Sequence, residues 1–153
     1  MTLRTATLLA FAAILATQPA HAAPAPCTRL TPTQIKTVLT TPLSEGKPGT
    51  PTDGTTDCTW ADAKGATRVY LSLNDPGFGY KAFRDGLLAT GRLVPIPGLA
   101  EDAFFVSSAG NSAALYALKN KHLLLVTVDG PGFTKAQNES AEQILVTQIL
   151  PKL

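Results

Sequence analysis

The chain has 153 residues, with 13 basic against 11 acidic side chains and a formal charge of +2 at pH 7. So even a balance leaves no electrostatic footprint for nucleic acid or an anionic membrane surface. With two cysteines, two histidines and no carboxylate cluster beyond Glu101-Asp102, the chain offers no metal-ligand set, and no cofactor fingerprint is present.

Residues 1–22 read as a signal peptide. Arg4 is the only charge, the run Ala6–Ala16 is apolar apart from Thr7, and Ala20-His21-Ala22 supplies a small-x-small cleavage pattern. That run falls short of the roughly 20 residues that span a bilayer. A retained membrane anchor is the alternative. Pro26 before Cys27 does not suit lipid attachment, so no membrane anchor is expected after cleavage. Residues 23–153 are then one exported domain, periplasmic or secreted, long enough to bury a single core.

An oxidising compartment favours pairing Cys27 with Cys58, and no Cys-x-x-Cys spacing suggests a redox role. Closing a ~30-residue loop restricts the unfolded chain by roughly 3–4 kcal/mol. The first helix follows at once. Thr31 caps it, Pro32 suits its first turn, Gln34 completes a capping box, and Leu30 with Ile35 forms a hydrophobic staple. Ile35, Val38 and Leu39 give it one apolar stripe over Pro32–Thr40. Thr41–Thr56 is rich in Pro, Gly, Thr and Ser and reads as a long loop.

In Thr67–Leu73 the residues Val69, Leu71 and Leu73 alternate with Arg68, Tyr70 and Ser72, the period of a half-buried strand. A two-residue turn at Gly65-Ala66 pairs Trp60 with Leu71 and Cys58 with Leu73, so Trp60 and Cys58 face inward. Asp62 then falls opposite Val69, near the turn. Asn74-Asp75-Pro76-Gly77 leads to a helix over Phe78–Ala89 with Tyr80, Phe83 and Leu87 on one face and Gly91 after its end. Leu93–Pro97 carries two prolines and cannot sit mid-sheet. Ala103–Ser107 is a short strand, and Ala109-Gly110-Asn111 is a turn.

Ala113–Phe133 reads as a second copy of Cys58–Phe78. The shift that sets Lys64 on Lys119 also sets Val69 on Leu124, Leu71 on Val126, Leu73 on Val128 and Pro76-Gly77-Phe78 on Pro131-Gly132-Phe133. A turn at Asn120-Lys121 pairs Ala117 with Leu124 and Leu115 with Val126. Thr134 and Gln137 form a capping box for the last helix. Ala141, Ile144, Leu145 and Ile149 are its buried stripe, and Pro151 closes it. The expected fold is α+β: an antiparallel sheet of about five strands from a duplicated hairpin–helix unit, with helices packed mainly on one face.

The two copies differ on the face that should be wet. The first hairpin places Thr59, Ala61, Arg68, Tyr70 and Ser72 there, the second Tyr116, Leu118, Leu123, Leu125 and Thr127. Two readings of this apolar outer face stay open, a misregistered strand aside. Leu93–Pro97 or the long loop covers it, or it docks a partner or apolar ligand through Tyr70, Tyr116, Leu118, Leu123 and Leu125. His122, beside the second turn, is a candidate general base if a hydroxyl nucleophile and an orienting group converge on it. Lys64, Arg68, Lys119, Lys121 and His122 are expected to gather at the hairpin tips.

Cys27-Thr28-Arg29-Leu30-Thr31-Pro32, Asp57-Cys58-Thr59-Trp60 and Pro97-Gly98-Leu99-Ala100-Glu101-Asp102-Ala103 together resemble a group of small secreted bacterial domains of unknown function with a PsbP-like fold. The resemblance implies helices on an antiparallel sheet and brings no catalytic residues. The chain departs from that group in lacking a lipobox and in carrying Ala100 where a glycine is usual. The expected function is a non-catalytic exported domain that binds an envelope protein partner or a small apolar ligand, possible roles including an inhibitor or immunity-type protein. The alternative is a small periplasmic hydrolase using His122.

Overall fold

The computed structural model describes residues 25–52, 54–77, 79–107 and 112–153; the signal peptide read in residues 1–22 lies outside them. The elements run α1 (Pro32–Leu39), β1 (Lys47–Pro48), β2 (Thr56–Ala61), β3 (Arg68–Asn74), α2 (Tyr80–Ala89), β4 (Leu93–Pro95), β5 (Asp102–Ser107), β6 (Ala113–Lys119), β7 (His122–Asp129) and α3 (Lys135–Ile149). All the strands join one antiparallel sheet in the order β1-β2-β3-β7-β6-β5-β4. The fold is α+β, with seven strands among the described residues rather than about five. The extra ones are short: β1 lies inside the expected Thr41–Thr56 loop, and β4 is the proline-bearing segment after α2.

The helix starts follow from local chemistry. Thr31 and Thr134 each accept the backbone N–H of the residue three places on, Gln34 and Gln137, whose side chains reach back to the cap N–H. Two orphan donors are satisfied at each helix start, worth about 1 kcal/mol apiece. α1 ends at Thr40, which adopts a left-handed φ of 58°.

Cys27 and Cys58 form a disulfide with Cα atoms 5.2 Å apart, which ties the segment before α1 to β2. Beneath α1 and α3 lies the main core. Trp60, Val69, Leu71, Leu115, Leu124, Val126 and Val128 reach it from the sheet, and Ile35, Leu145 and Ile149 from the helices. Ile144 was expected in the α3 stripe but is exposed.

The second hairpin has the expected register, Ala117 opposite Leu124 and Leu115 opposite Val126. Asn120 and Lys121 hold φ values of 49° and 63°, the pair of left-handed residues that a tight hairpin turn requires. The first hairpin is shifted by two residues from expectation: Trp60 pairs with Val69 and Cys58 with Leu71. Asp62 is the cause. It closes a wider loop in which its carboxylate accepts the N–H groups of Lys64, Ala66 and Thr67, and its own N–H donates to Thr67 O. Asp62 therefore faces Thr67 rather than Val69. An even shift keeps each side chain on its face, so Trp60 and Cys58 still point inward.

β3 pairs with β7 at the centre of the sheet, with Leu71 opposite Val126 and Leu73 opposite Leu124. The shift that aligns the two hairpins maps Leu71 onto Val126, so a local two-fold axis normal to the sheet passes at that pair. Such an axis asks α2 and α3 to share a face. They do not: Leu87 of α2 packs with Leu93, Phe104 and Val106, which alternate with the core residues Ala103 and Phe105. The place symmetry would give α2, over β2 and β3, is taken by Pro26–Thr28, which packs there under the hold of the disulfide. The two-fold also sends the hairpin tips to opposite ends. Arg68 lies opposite Asp129 and Asn74 opposite Leu123, so Lys64 and Arg68 do not gather with Lys119, Lys121 and His122.

Both sheet edges are short and end in proline, Pro48 on β1 and Pro95 on β4. Proline has no N–H to offer a further strand.

Candidate functional site

α2 is anchored over β5 and β6 by an aromatic and ionic patch. Asp102 Oδ2 accepts the Tyr80 hydroxyl at 2.8 Å and Arg84 Nε at 2.6 Å. Phe104 stacks on its cross-strand partner Tyr116, ring centroids 5.4 Å apart and planes 13° from parallel. Phe83 meets the same Tyr116 ring at 5.4 Å and 57°, and Tyr80 leans on Phe104 at 6.5 Å. Offset and tilted ring pairs of this kind are favourable beyond their area. The cover on the apolar outer face is therefore α2, and neither the long loop nor Leu93–Pro97 supplies it.

The cover is partial. α2 stops short of β7 and β3 and leaves a groove of about 310 Å³ along its flank. Ser72 and Asn74 of β3, Leu123 and Leu125 of β7 and Tyr116 of β6 make the floor; Tyr80 and Phe83 make the wall, and Pro76 and Gly79 close one end. Phe83 is 41% exposed, an unusual state for a ring that anchors a helix. No lining residue among those described is charged. The volume falls in the range of small-molecule sites, and the mix of aromatic walls with a few polar groups is their usual composition.

The polar groups near the groove are held neutral. Burial pushes the Tyr116 phenol above its ordinary range, the nearby Tyr70 adds to this, and Arg92 acts against it. Burial and the bond to Asp102 raise Tyr80 further. Burial and the Asp57 carboxylate raise Tyr70. Neutral phenols, Ser72 and Asn74 can donate and accept hydrogen bonds, whereas a buried anion would find no opposite charge in the lining.

Of the residues singled out from sequence, Tyr116, Leu123 and Leu125 line this groove. Tyr70 shares their face of the sheet, on β3 opposite Thr127, but is not in the lining. Leu118 lines a neighbouring hollow of about 540 Å³ with Asp75, Gly77, Glu101 and Lys121, which shares Pro76 with the first. Glu101 there accepts the Asn120 N–H at 3.0 Å and so braces the second turn. Sequence reasoning missed Ser72, Asn74, Tyr80 and Phe83 as lining residues. Tyr80 and Phe83 were legible as an apolar stripe, but a stripe does not tell which face of a sheet it covers.

His122 opens β7 opposite Lys119 and is half-buried; its imidazole makes no hydrogen bond or ion pair with the described residues. No group of three or more His, Cys, Asp or Glu side chains able to hold a metal occurs among the described residues. No helix among them is long and apolar enough to cross a membrane. Comparison with protein-family models, with curated proteins and with solved structures gave no match for this chain.

Proposed function

We propose that this is a non-catalytic exported domain that takes a small neutral, largely apolar ligand, or an apolar side chain of an envelope partner, into the groove between α2 and β7. The observation that carries the reading is the half-exposed Phe83–Tyr116 pair beside the half-buried Leu125, with Leu123 buried in the floor: aromatic and aliphatic surface left partly uncovered where the sheet should be wet. The disulfide supports a periplasmic or secreted location. Descent from a duplicated hairpin–helix unit and kinship with small secreted PsbP-like domains are part of the same proposal, as is the specialised role of an inhibitor or immunity-type protein. A hydrolase built on His122 is the lesser reading, since no hydroxyl or carboxylate bonds to that ring among the described residues.

The test is a titration of the ¹⁵N-labelled protein with p-cresol as a neutral aromatic probe and 4-hydroxybenzoate as its charged counterpart. Saturable amide shifts at Tyr116, Leu123 and Leu125 are expected with p-cresol, weaker ones with the benzoate, and none in Leu125→Asp, whose spectrum stays dispersed. Capture of an envelope protein by the wild type and not by Leu125→Asp would assign the partner form of the proposal. Unsaturable or scattered shifts together with no capture would sink it.

A further inference from the structure

Glu142 is the only charged side chain among the described residues that is buried, with 0% of its surface exposed. Its surroundings are specific. β6 stays on β5 as far as Ser107 opposite Ala113, and β7 stays on β3 as far as Arg68 opposite Asp129. Between β6 and β7, however, pairing stops at Leu115 opposite Val126. The β6–β7 ladder is split at that end, bridged at its mouth only by Ser112 Oγ donating to Asp129 Oδ1 at 3.3 Å, and α3 sets Glu142 into the split. Oε1 accepts the Val128 N–H at 2.9 Å, taking the place of a strand carbonyl. Oε2 is buried without a hydrogen-bond partner.

We propose that Glu142 is a proton-dependent latch: as a neutral acid it closes the split between β6 and β7 beneath α3, and as a carboxylate it opens it. A carboxylate in this position keeps a charged oxygen that nothing satisfies, which costs far more than burying a neutral acid. The charges that face it are of the same sign, Asp129 on β7 and Glu139 one turn earlier on α3. Lys135 offsets only Glu139, with which it pairs at 3.7 Å while also donating to Ser107 Oγ at 3.0 Å; Asp129 takes a hydrogen bond from the neutral Ser112 hydroxyl. β6 brings only Lys119, at its far end beside the turn. α1 brings only Lys36, which is exposed, and β3 brings only Arg68, exposed at the pair with Asp129.

Burial, then the two acidic neighbours, push the carboxyl up from 4.5 to about 8 against the pull of the Val128 N–H. The closed state thus holds a proton that the opened or unfolded chain gives up. Its advantage is full below about pH 4.5, declines as pH rises from there, and is gone above about pH 8. Opening is therefore an alkaline response.

The experiment is amide hydrogen exchange by NMR on the purified protein at pH 6 and pH 9, corrected for intrinsic exchange, with a ¹³C titration of the glutamate carboxyls. Protection at Val128 and in α3 should fall about tenfold or more between the two pH values, and Glu142 should titrate above pH 7. In Glu142→Gln, which keeps the oxygen for Val128 and loses the proton, protection should be nearly independent of pH. Should that variant fail to fold, Glu139→Gln removes the facing charge and should move the Glu142 midpoint down. A Glu142 midpoint near the ordinary carboxyl value, or equal loss of protection in Glu142→Gln, would overturn the latch.

Discussion

Arg84 Nε lies 2.6 Å from Asp102 Oδ2, and this is the one ion pair joining α2 to the sheet among the described residues. The same oxygen accepts the Tyr80 hydroxyl, so one carboxylate holds two successive turns of the helix that walls the groove. Asp102→Ala should cost about 1–2 kcal/mol, the share of charged hydrogen bonds that survives screening at a partly exposed site. Urea unfolding measures it. The p-cresol titration should weaken in the same variant, because the Phe83 wall is no longer held over Tyr116.

Removing the disulfide in a Cys27→Ser, Cys58→Ser double variant should lower stability by about 3 kcal/mol, the loop entropy of a 31-residue separation. The urea midpoint of the oxidised wild type against the variant reads this directly. An unchanged midpoint would mean that Pro26–Thr28 holds to β2 and β3 without the bond.

Gly46 sits where a Cβ would stand 2.5 Å from Cys58 Sγ and 2.7 Å from Trp60 Cε2. Neither neighbour has room to yield, since both are fully buried. Gly46→Ala should cost about 1–3 kcal/mol through overpacking. Gly86→Ala on α2 makes the contrast: nothing lies within 4 Å of its Cβ, and a helical alanine in place of glycine should add about 0.5–1 kcal/mol. Paired thermal melts should move in opposite directions.

Leu125 and Val126 are neighbours on β7 that face opposite sides of the sheet. Val126→Asp puts a charge into the main core, where Val126 is 0% exposed, and should abolish folding. Leu125→Asp should leave the circular dichroism spectrum intact and remove only groove binding. If both unfold, the groove floor is ordinary core and the proposed function fails.

Much of this fold was legible in the sequence because its signals were local. The capping boxes at Thr31 and Thr134 depend on residues three apart, and both formed as read. The second hairpin kept its expected register because a two-residue turn at Asn120-Lys121 leaves no slack. The first did not, because Gly65 with φ of 67° looks like the centre of a tight turn, while the organising group is the Asp62 carboxylate three residues earlier. Which face α2 covers was not legible at all. Its stripe of Tyr80, Phe83 and Leu87 would pack on either side, and the symmetric place is filled by a segment far off in sequence, Pro26–Thr28. The groove was half legible for the same reason: β7 announced Leu123 and Leu125, but its wall came from a helix whose side of the sheet only the assembled fold decides.

The short proline-terminated strands at either rim carry a last consequence. Strand addition needs a free row of amides, and neither β1 nor β4 presents one of useful length. Among the described residues the sheet therefore offers no long free rim on which a second copy could add a strand. A partner of this sheet would have to meet it broadside, through side chains on its faces rather than by adding a strand to its rims.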